Sequence, residues 1–246
     1  MIDFRSDTVT RPTQEMLAFM MASEVGDDVF GDDPTVNKLQ EFAAEMFGFE
    51  DSLFCSSGTQ TNQIAINVHC RPGDEVICHE ESHIYKYEGG GIARNSGTSV
   101  RLLRGNRGML KAENVKEWIN PDNVHLPVTS LVSLEDTTNR GGGGIYDFEE
   151  IKKIKKVCES HNIPLHLDGA RVFNALVETQ IDYKKYGEQE ALRKVKQKYM
   201  DDFAKTKDLH LFLGTTKRFH FTGKNPFVII GTFTPKIETQ TKLDLF

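Results

Sequence analysis

Between Asp51 and Leu167 the chain alternates short apolar runs with amphipathic stretches, and that rhythm limits what it can fold into. Asp51-Ser-Leu-Phe-Cys55, Asp74-Glu-Val-Ile-Cys78, the run from Leu126 to Leu134 and the run from Ile163 to Leu167 read as strands. Between them, Thr35 to Phe47, Gln60 to His69 and a segment capped by Asp147 carry apolar residues at helical spacing. Gly48 stops the first of these helices, and Pro72-Gly73 turns the chain into the second strand. Asp147 and Glu150 have the spacing of a capping box, with Phe148, Ile151, Ile154 and Val157 as the stripe to be buried. Strands alternating with helices predict a mostly parallel sheet covered on both faces.

At 246 residues and 27.8 kDa the chain has the size of one large domain, or of a domain with a small appendage. Such a chain can bury roughly three quarters of its unfolded surface, so its core needs neither disulfide nor metal. The net charge of −6 argues against general nucleic-acid binding. Cys55, Cys70, Cys78 and Cys158 show no CxxC spacing and fit buried or free thiols in a reducing compartment. The start, Met1-Ile-Asp-Phe-Arg-Ser6, lacks an apolar signal core, and no apolar run is long enough to span a bilayer. The expectation is a cytoplasmic protein with no membrane partner and no metal.

After Gly187 the texture changes. Glu188 to Lys205 is highly charged, with Leu192, Val195, Met200 and Phe203 as a narrow apolar stripe, the pattern of a surface helix. Leu209 to Leu213 and Phe227 to Phe233 read as strands, and a polar tail runs from Pro235 to Phe246. The sequence thus divides into residues 1–187 and a C-terminal segment, 188–246.

Chemistry-bearing residues gather at strand ends. Pro164-Leu-His-Leu-Asp168-Gly-Ala-Arg171 delivers a carboxylate on an apolar strand, turns on two small residues and follows with a guanidinium. In open α/β sheets ligands sit beyond the carboxyl ends of the strands, where this anion and cation fall. Ser57-Gly58-Thr59, between a strand and a helix, offers helix-start amides and hydroxyls to a phosphate. His83, just past the second strand, can lay an imidazole against a flat ring. Singly, each has a plainer reading: a strand-end cap, an ordinary turn, a structural histidine. Together they supply the three non-covalent supports of pyridoxal phosphate (PLP): ring nitrogen, phosphate and ring face. An aspartate beside the pyridine nitrogen keeps it protonated, so the ring can accept electrons.

Further motifs share their order and spacing with a known family. They are Arg5-Ser6-Asp7-Thr8-Val9-Thr10-Arg11-Pro12, Gly26 to Thr35, Ser57-Gly58-Thr59, Glu81-Ser-His83, Ser133 to Asn139 and His166 to Arg171. Over about residues 1–187 the chain resembles the L-threonine aldolase family of PLP enzymes, within the β-eliminating lyase superfamily. The resemblance implies an α/β PLP-enzyme large domain of the aspartate aminotransferase fold type I, truncated, with a small unrelated α+β extension. It implies that Ser57, Gly58 and Thr59 hold the phosphate, His83 stacks on the ring and Asp168 pairs with its nitrogen. Ser6 and Arg171 would grip the substrate carboxylate, and His125 matches a second active-site histidine. The implied reaction cleaves L-threonine or L-allo-threonine to glycine and acetaldehyde, with His83, directly or through water, taking the β-hydroxyl proton. A homo-oligomer is implied as well.

Phe30 stands where the family often has tyrosine. The family's Schiff-base lysine lies in a Ser-Lys-Gly-Leu-Gly stretch that this chain lacks; Lys194, Lys196 and Lys198 occupy the neighbourhood where it is expected. Lys217, which follows a strand, is the best substitute, and Lys224 the second. A solvated loop lysine is the favoured reading of both, and so the sequence predicts poor turnover and no borohydride-reducible lysine adduct. The alternative is a non-catalytic PLP-domain remnant or fusion with a binding tail. Its terminus, Gln240-Thr-Lys-Leu243-Asp-Leu245-Phe246, resembles the peptide with which bacterial proteins bind the sliding clamp.

Overall fold

The computed structural model describes residues 6–47, 49, 51–178, 209–212 and 227–230. The charged run 188–205, Lys217, Lys224 and the 240–246 tail lie outside them. The described residues form seven strands, β1 Asp51–Phe54, β2 Glu75–His79, β3 Ser99–Leu103, β4 Thr129–Glu135, β5 Leu165–Asp168, β6 Leu209–Phe212 and β7 Phe227–Ile230. The helices are α1 Gln14–Ala22, α2 Pro34–Phe47, α3 Gly58–His69, α4 His83–Lys86, α5 Gly91–Ser96, α6 Ala112–Trp118, α7 Phe148–Ser160 and α8 Val172–Glu178.

The strands make one sheet in the order β1-β7-β6-β5-β4-β2-β3, every pair parallel. A parallel sheet of this kind is the predicted architecture. The two strands from beyond residue 187 stand inside it, between β1 and β5, and build no sheet of their own. β6 pairs with β5 in a register that sets Phe212 opposite Asp168, so both strands end at one edge.

Side-chain alternation assigns the two faces. Leu165 and Leu167 of β5, with Val132 and Leu134 of β4 and Ile77 of β2, join Phe47, Val115, Ile151 and Ile154 in one core cluster. Leu131 of β4 and Val76 and Cys78 of β2 face the other way, against Ile66, Ile84 and Ile92. On β5 that second face is taken by His166 and Asp168, both buried. The sequence His-Leu-Asp therefore sends two polar groups into the layer under α3, α4 and α5, while the intervening leucine holds the opposite core.

Several ends differ from the sequence reading for identifiable reasons. Helix α3 begins two residues before Gln60, because Ser57 is its cap and accepts the Gln60 N–H at 3.2 Å. Strand β4 begins only at Thr129, since Pro127 cannot donate to a ladder. Asp147 does cap α7, accepting the Glu149 N–H. Glu150, however, does not close a capping box; its Oε1 accepts the Ala112 N–H at 2.9 Å and caps α6 instead. Strand β3 escaped the pattern because Arg101 interrupts it. The arginine is paired with Glu75 at 3.1 Å and lies 5.3 Å over the Trp118 ring, so its charge is accommodated there.

All four cysteines are buried free thiols. Burial pushes Cys70, Cys78 and Cys158 up to about 12, which marks them as packing residues and not nucleophiles. Among the described residues no helix is long and apolar enough to cross a membrane.

Candidate active site

The carboxyl ends of the strands bring three carboxylates together. Asp168 ends β5, Glu135 ends β4 in register with it, and Glu88 follows α4. All three are buried. Asp168 accepts the Ala170 N–H at Oδ1, 3.1 Å away, and Asn62 Nδ2 at Oδ2, 2.9 Å away. Asn62 sits one turn into α3, so the first turn of that helix, Gly58 to Thr61, lies directly beside the aspartate. Glu135 accepts the His83 N–H at 3.0 Å and the Asn139 N–H at 2.9 Å, which fixes the start of α4 at this edge.

His83 points its Nδ1 at Glu88 Oε1, 2.9 Å away; the histidine side chain is 33% exposed and that of Glu88 fully buried. Nitrogen and oxygen atoms of His83, Glu88 and Asp168 lie within 4.8 Å of one another. Tyr87 packs against the imidazole with ring centroids 5.5 Å apart, and Arg140 lies 5.1 Å over Tyr87 while its Nε donates to the tyrosine hydroxyl. Arg171, part-buried, holds its guanidinium 3.9 Å from Glu135.

Charge in this pocket is out of balance. Burial, then the neighbouring Glu88 charge, holds the Asp168 carboxyl above its usual range despite His83 and the Asn62 bond. Burial, then Asp168, does the same to Glu135. The bond to Glu88 lifts His83 above an ordinary imidazole, against the opposing pull of burial. Three buried carboxylates thus face one imidazole and one arginine. A protonated pyridine nitrogen would supply the missing positive charge, and α3 would offer a helix start to its phosphate. At Gly58 a Cβ would meet nothing within 4 Å, so that first turn is open to an approaching group. These residues fit PLP.

The structure therefore brings Asp168, His83, Arg171 and the turn 57–59 to one sheet edge. It does not bring His125 there. That residue is exposed in the loop leading into β4, the opposite end of a strand about 20 Å long from Glu135. Ser6 is exposed and turns its hydroxyl back on its own 3-10 turn, 2.8 Å from Thr8 Oγ1. Phe30, too, is exposed.

Sequence patterns pointed to none of Asn62, Gln63 and Glu88. Gln63 Nε2 donates to Glu88 Oε2 at 2.6 Å, and Asn62 Nδ2 to Glu88 Oε1 at 2.8 Å. The available signal was three consecutive polar residues, Thr61-Asn62-Gln63, on the buried face of a helix. Polar groups in such a place need partners.

Next to this cluster, burial pushes the Asp136 carboxyl up to about 7. The sign follows: the fold favours the protonated form, so this group's stabilisation is present at low pH and lost as pH rises through about 7. A rise from the ordinary 3.8 to about 7 corresponds to about 4 kcal/mol at most. Urea unfolding of Asp136→Asn should lose less stability than wild type between about pH 4 and about pH 8.

A family model described as Beta-eliminating lyase matches residues 3–191. A second, a domain of unknown function (DUF8757), matches residues 171–246. The low specificity L-threonine aldolase of Escherichia coli (strain K12) is 45% identical over 178 residues, 72% of this chain and 53% of its own length. That of Saccharomyces cerevisiae is 38% identical over 190 residues, 76% of this chain and 48% of its own. A solved Leishmania major threonine aldolase superposes with a TM-score of 0.61 at 27% identity, covering 70% of this chain and 51% of that one. The chain spans about half the length of the curated relatives it matches. On the family match to residues 3–191, and with the sheet and strand-end residues just described, the chain belongs to the beta-eliminating lyase family.

Proposed function

We propose that this chain binds PLP at the edge formed by β4, β5 and α3 and cleaves L-threonine or L-allo-threonine to glycine and acetaldehyde. The observation that carries this is the approach of the Asp168 carboxylate and the His83 imidazole to within 4.8 Å beside the first turn of α3. PLP, when bound, supplies a protonated ring that takes up the electrons of the breaking Cα–Cβ bond.

The chain's own residues have separate tasks. Ser57, Gly58 and Thr59 would hold the phosphate, Asp168 the ring nitrogen, and His83 the ring face. His83 takes the β-hydroxyl proton, its Nδ1 already being engaged by Glu88. Arg171 is a two-pronged donor for the substrate carboxylate, kept at this edge by Glu135, and Ser6 is its proposed partner there. Lys217, which follows a strand in the sequence, is the first candidate for the cofactor-anchoring lysine and Lys224 the second.

A second reading, a non-catalytic PLP-domain remnant, is favoured by the missing Ser-Lys-Gly-Leu-Gly stretch and by the second family match over 171–246. Borohydride reduction with PLP and peptide mapping separates the two. The sequence alone predicts no adduct; one on Lys217 or Lys224, together with glycine and acetaldehyde from L-threonine, would establish the aldolase reading. No adduct and no glycine would leave the remnant. The clamp-binding tail is tested by deleting Gln240 to Phe246, which should abolish capture by sliding clamp.

A homo-oligomer is part of the proposal. Helix α1 has no buried residue, and Met16, Leu17, Phe19, Met20 and Met21 are all exposed on it. An apolar patch of that kind suits a second copy. The family resemblance implies site residues crossing between subunits, and His125, beside exposed Val124 and Val128, is proposed to serve a neighbouring copy's site. Light scattering should show wild type as a dimer or larger, and Met20→Glu with Met21→Lys as a smaller species.

A further inference from the structure

The two ring nitrogens of a histidine are distinct, and which of them carries the hydrogen is set by the bond the other makes. At His83 the bonding neighbour is Glu88, whose carboxylate is fully buried. Its two oxygens face three N–H donors: Asn62 and His83 on Oε1, Gln63 on Oε2. The Asn62 orientation is fixed by chemistry, because its neighbours Glu88 and Asp168 are both acceptors and only an NH2 can serve them both. Its carbonyl is then left to His166 Nε2, 2.9 Å away. Gln63 is held in turn by Asn95 Nδ2 at its Oε1, 3.2 Å away. Gly91 makes room for this amide, since a Cβ there would sit 2.5 Å from Gln63 Cδ. Three side chains, Asn62 and Gln63 of α3 and Asn95 of α5, are thus spent on holding the Glu88 carboxylate against one ring nitrogen.

We infer that Glu88 is a positioning residue that keeps the His83 proton on Nδ1 and so presents Nε2 as the basic nitrogen toward the reacting hydroxyl. This rests on the function proposed above. A carboxylate can only accept, so the nitrogen facing it carries the hydrogen. The same carboxylate favours the imidazolium that forms when Nε2 takes up a proton, as a buried acid does for the base of a hydrolase triad. Among the described residues, the other charged or titratable groups facing His83 are Asp168 on β5 and Glu135 on β4, with Tyr87 and the Arg140 above it on the far side. Among the carboxylates of the described residues, only Glu88 reaches a ring nitrogen of His83 in a hydrogen bond; Glu135 engages the His83 backbone.

The test is isotope-labelled histidine NMR on the protein as purified, without added cofactor, with His83→Asn to assign the signal. Wild type should show the Nδ1–H tautomer and a midpoint above about 6.5. Glu88→Gln should lower that midpoint by about one pH unit or more and shift the tautomer toward Nε2–H, with Glu88→Asp restoring part of both. Asp168→Asn should move the midpoint less than Glu88→Gln does. An Nε2–H tautomer in wild type would overturn the inference without any variant. So would a Glu88→Gln protein that is less stable but leaves the His83 midpoint and tautomer unmoved, the result expected of a merely structural glutamate. Failure of wild type to bind PLP would sink the proposed function. The tautomer, read on the free protein, would still decide what Glu88 does.

Discussion

Asp168→Asn should cut glycine formation from L-threonine by about 10²–10⁴-fold, corresponding to the roughly 3–5 kcal/mol lost when one partner of a buried charge pair is removed. The same change should behave differently toward the fold. Burial and the Glu88 charge raise the Asp168 carboxyl in the folded state, so its stabilising share belongs to low pH and fades as pH rises. Asparagine escapes that penalty but loses one of two accepted bonds, since a single oxygen cannot serve both Asn62 and Ala170. Relative to wild type, the variant should therefore gain stability from about pH 5 to about pH 8 while its activity stays low. Melting curves at the two pH values with a glycine assay check both halves. An aspartate that merely capped its turn would give the reverse: a stability loss at every pH and near-normal turnover.

Leu167→Ala should destabilise by about 2–5 kcal/mol, lowering the melting temperature by roughly 4 to 20 °C. Leu167 is fully buried between His166 and Asp168 in sequence but on the opposite face, packed with Val132, Leu134, Ile151 and Ile154. Truncating it opens a cavity under the strand end that carries Asp168, and rigid neighbours fill such space only in part. Affinity for PLP should weaken along with stability, because the carboxylate's backbone is what loses support. Differential scanning calorimetry and a PLP titration measure the two effects on one sample.

What could be read in advance follows from where each signal resides. Asp168, Arg171 and the 57–59 turn lie at strand ends, and strand ends show in the sequence as a change from apolar alternation to Gly, Ser and Asp. The parallel sheet of the first two thirds followed from the same alternation, and β6 and β7 are legible as strands of the C-terminal segment. Their positions between β1 and β5 are not, because strand order is set by long-range pairing that no local pattern carries. Asn62, Gln63 and Glu88 were hidden for a related reason. Each is an ordinary polar residue on its own element, and only the packing of α3 against α5 and β5 buries them together. His125 shows the converse, a residue whose motif fits while the loop that carries it enters β4 at the end opposite Glu135.

The central claim is that Asp168 keeps a bound pyridine nitrogen protonated. Magnetic resonance of PLP labelled at that nitrogen, bound to wild type and to Asp168→Asn near neutral pH, measures it directly. The account predicts a pyridinium signal with wild type and a neutral-pyridine signal with the variant. A neutral ring in wild type, or the same signal in both proteins, would contradict it.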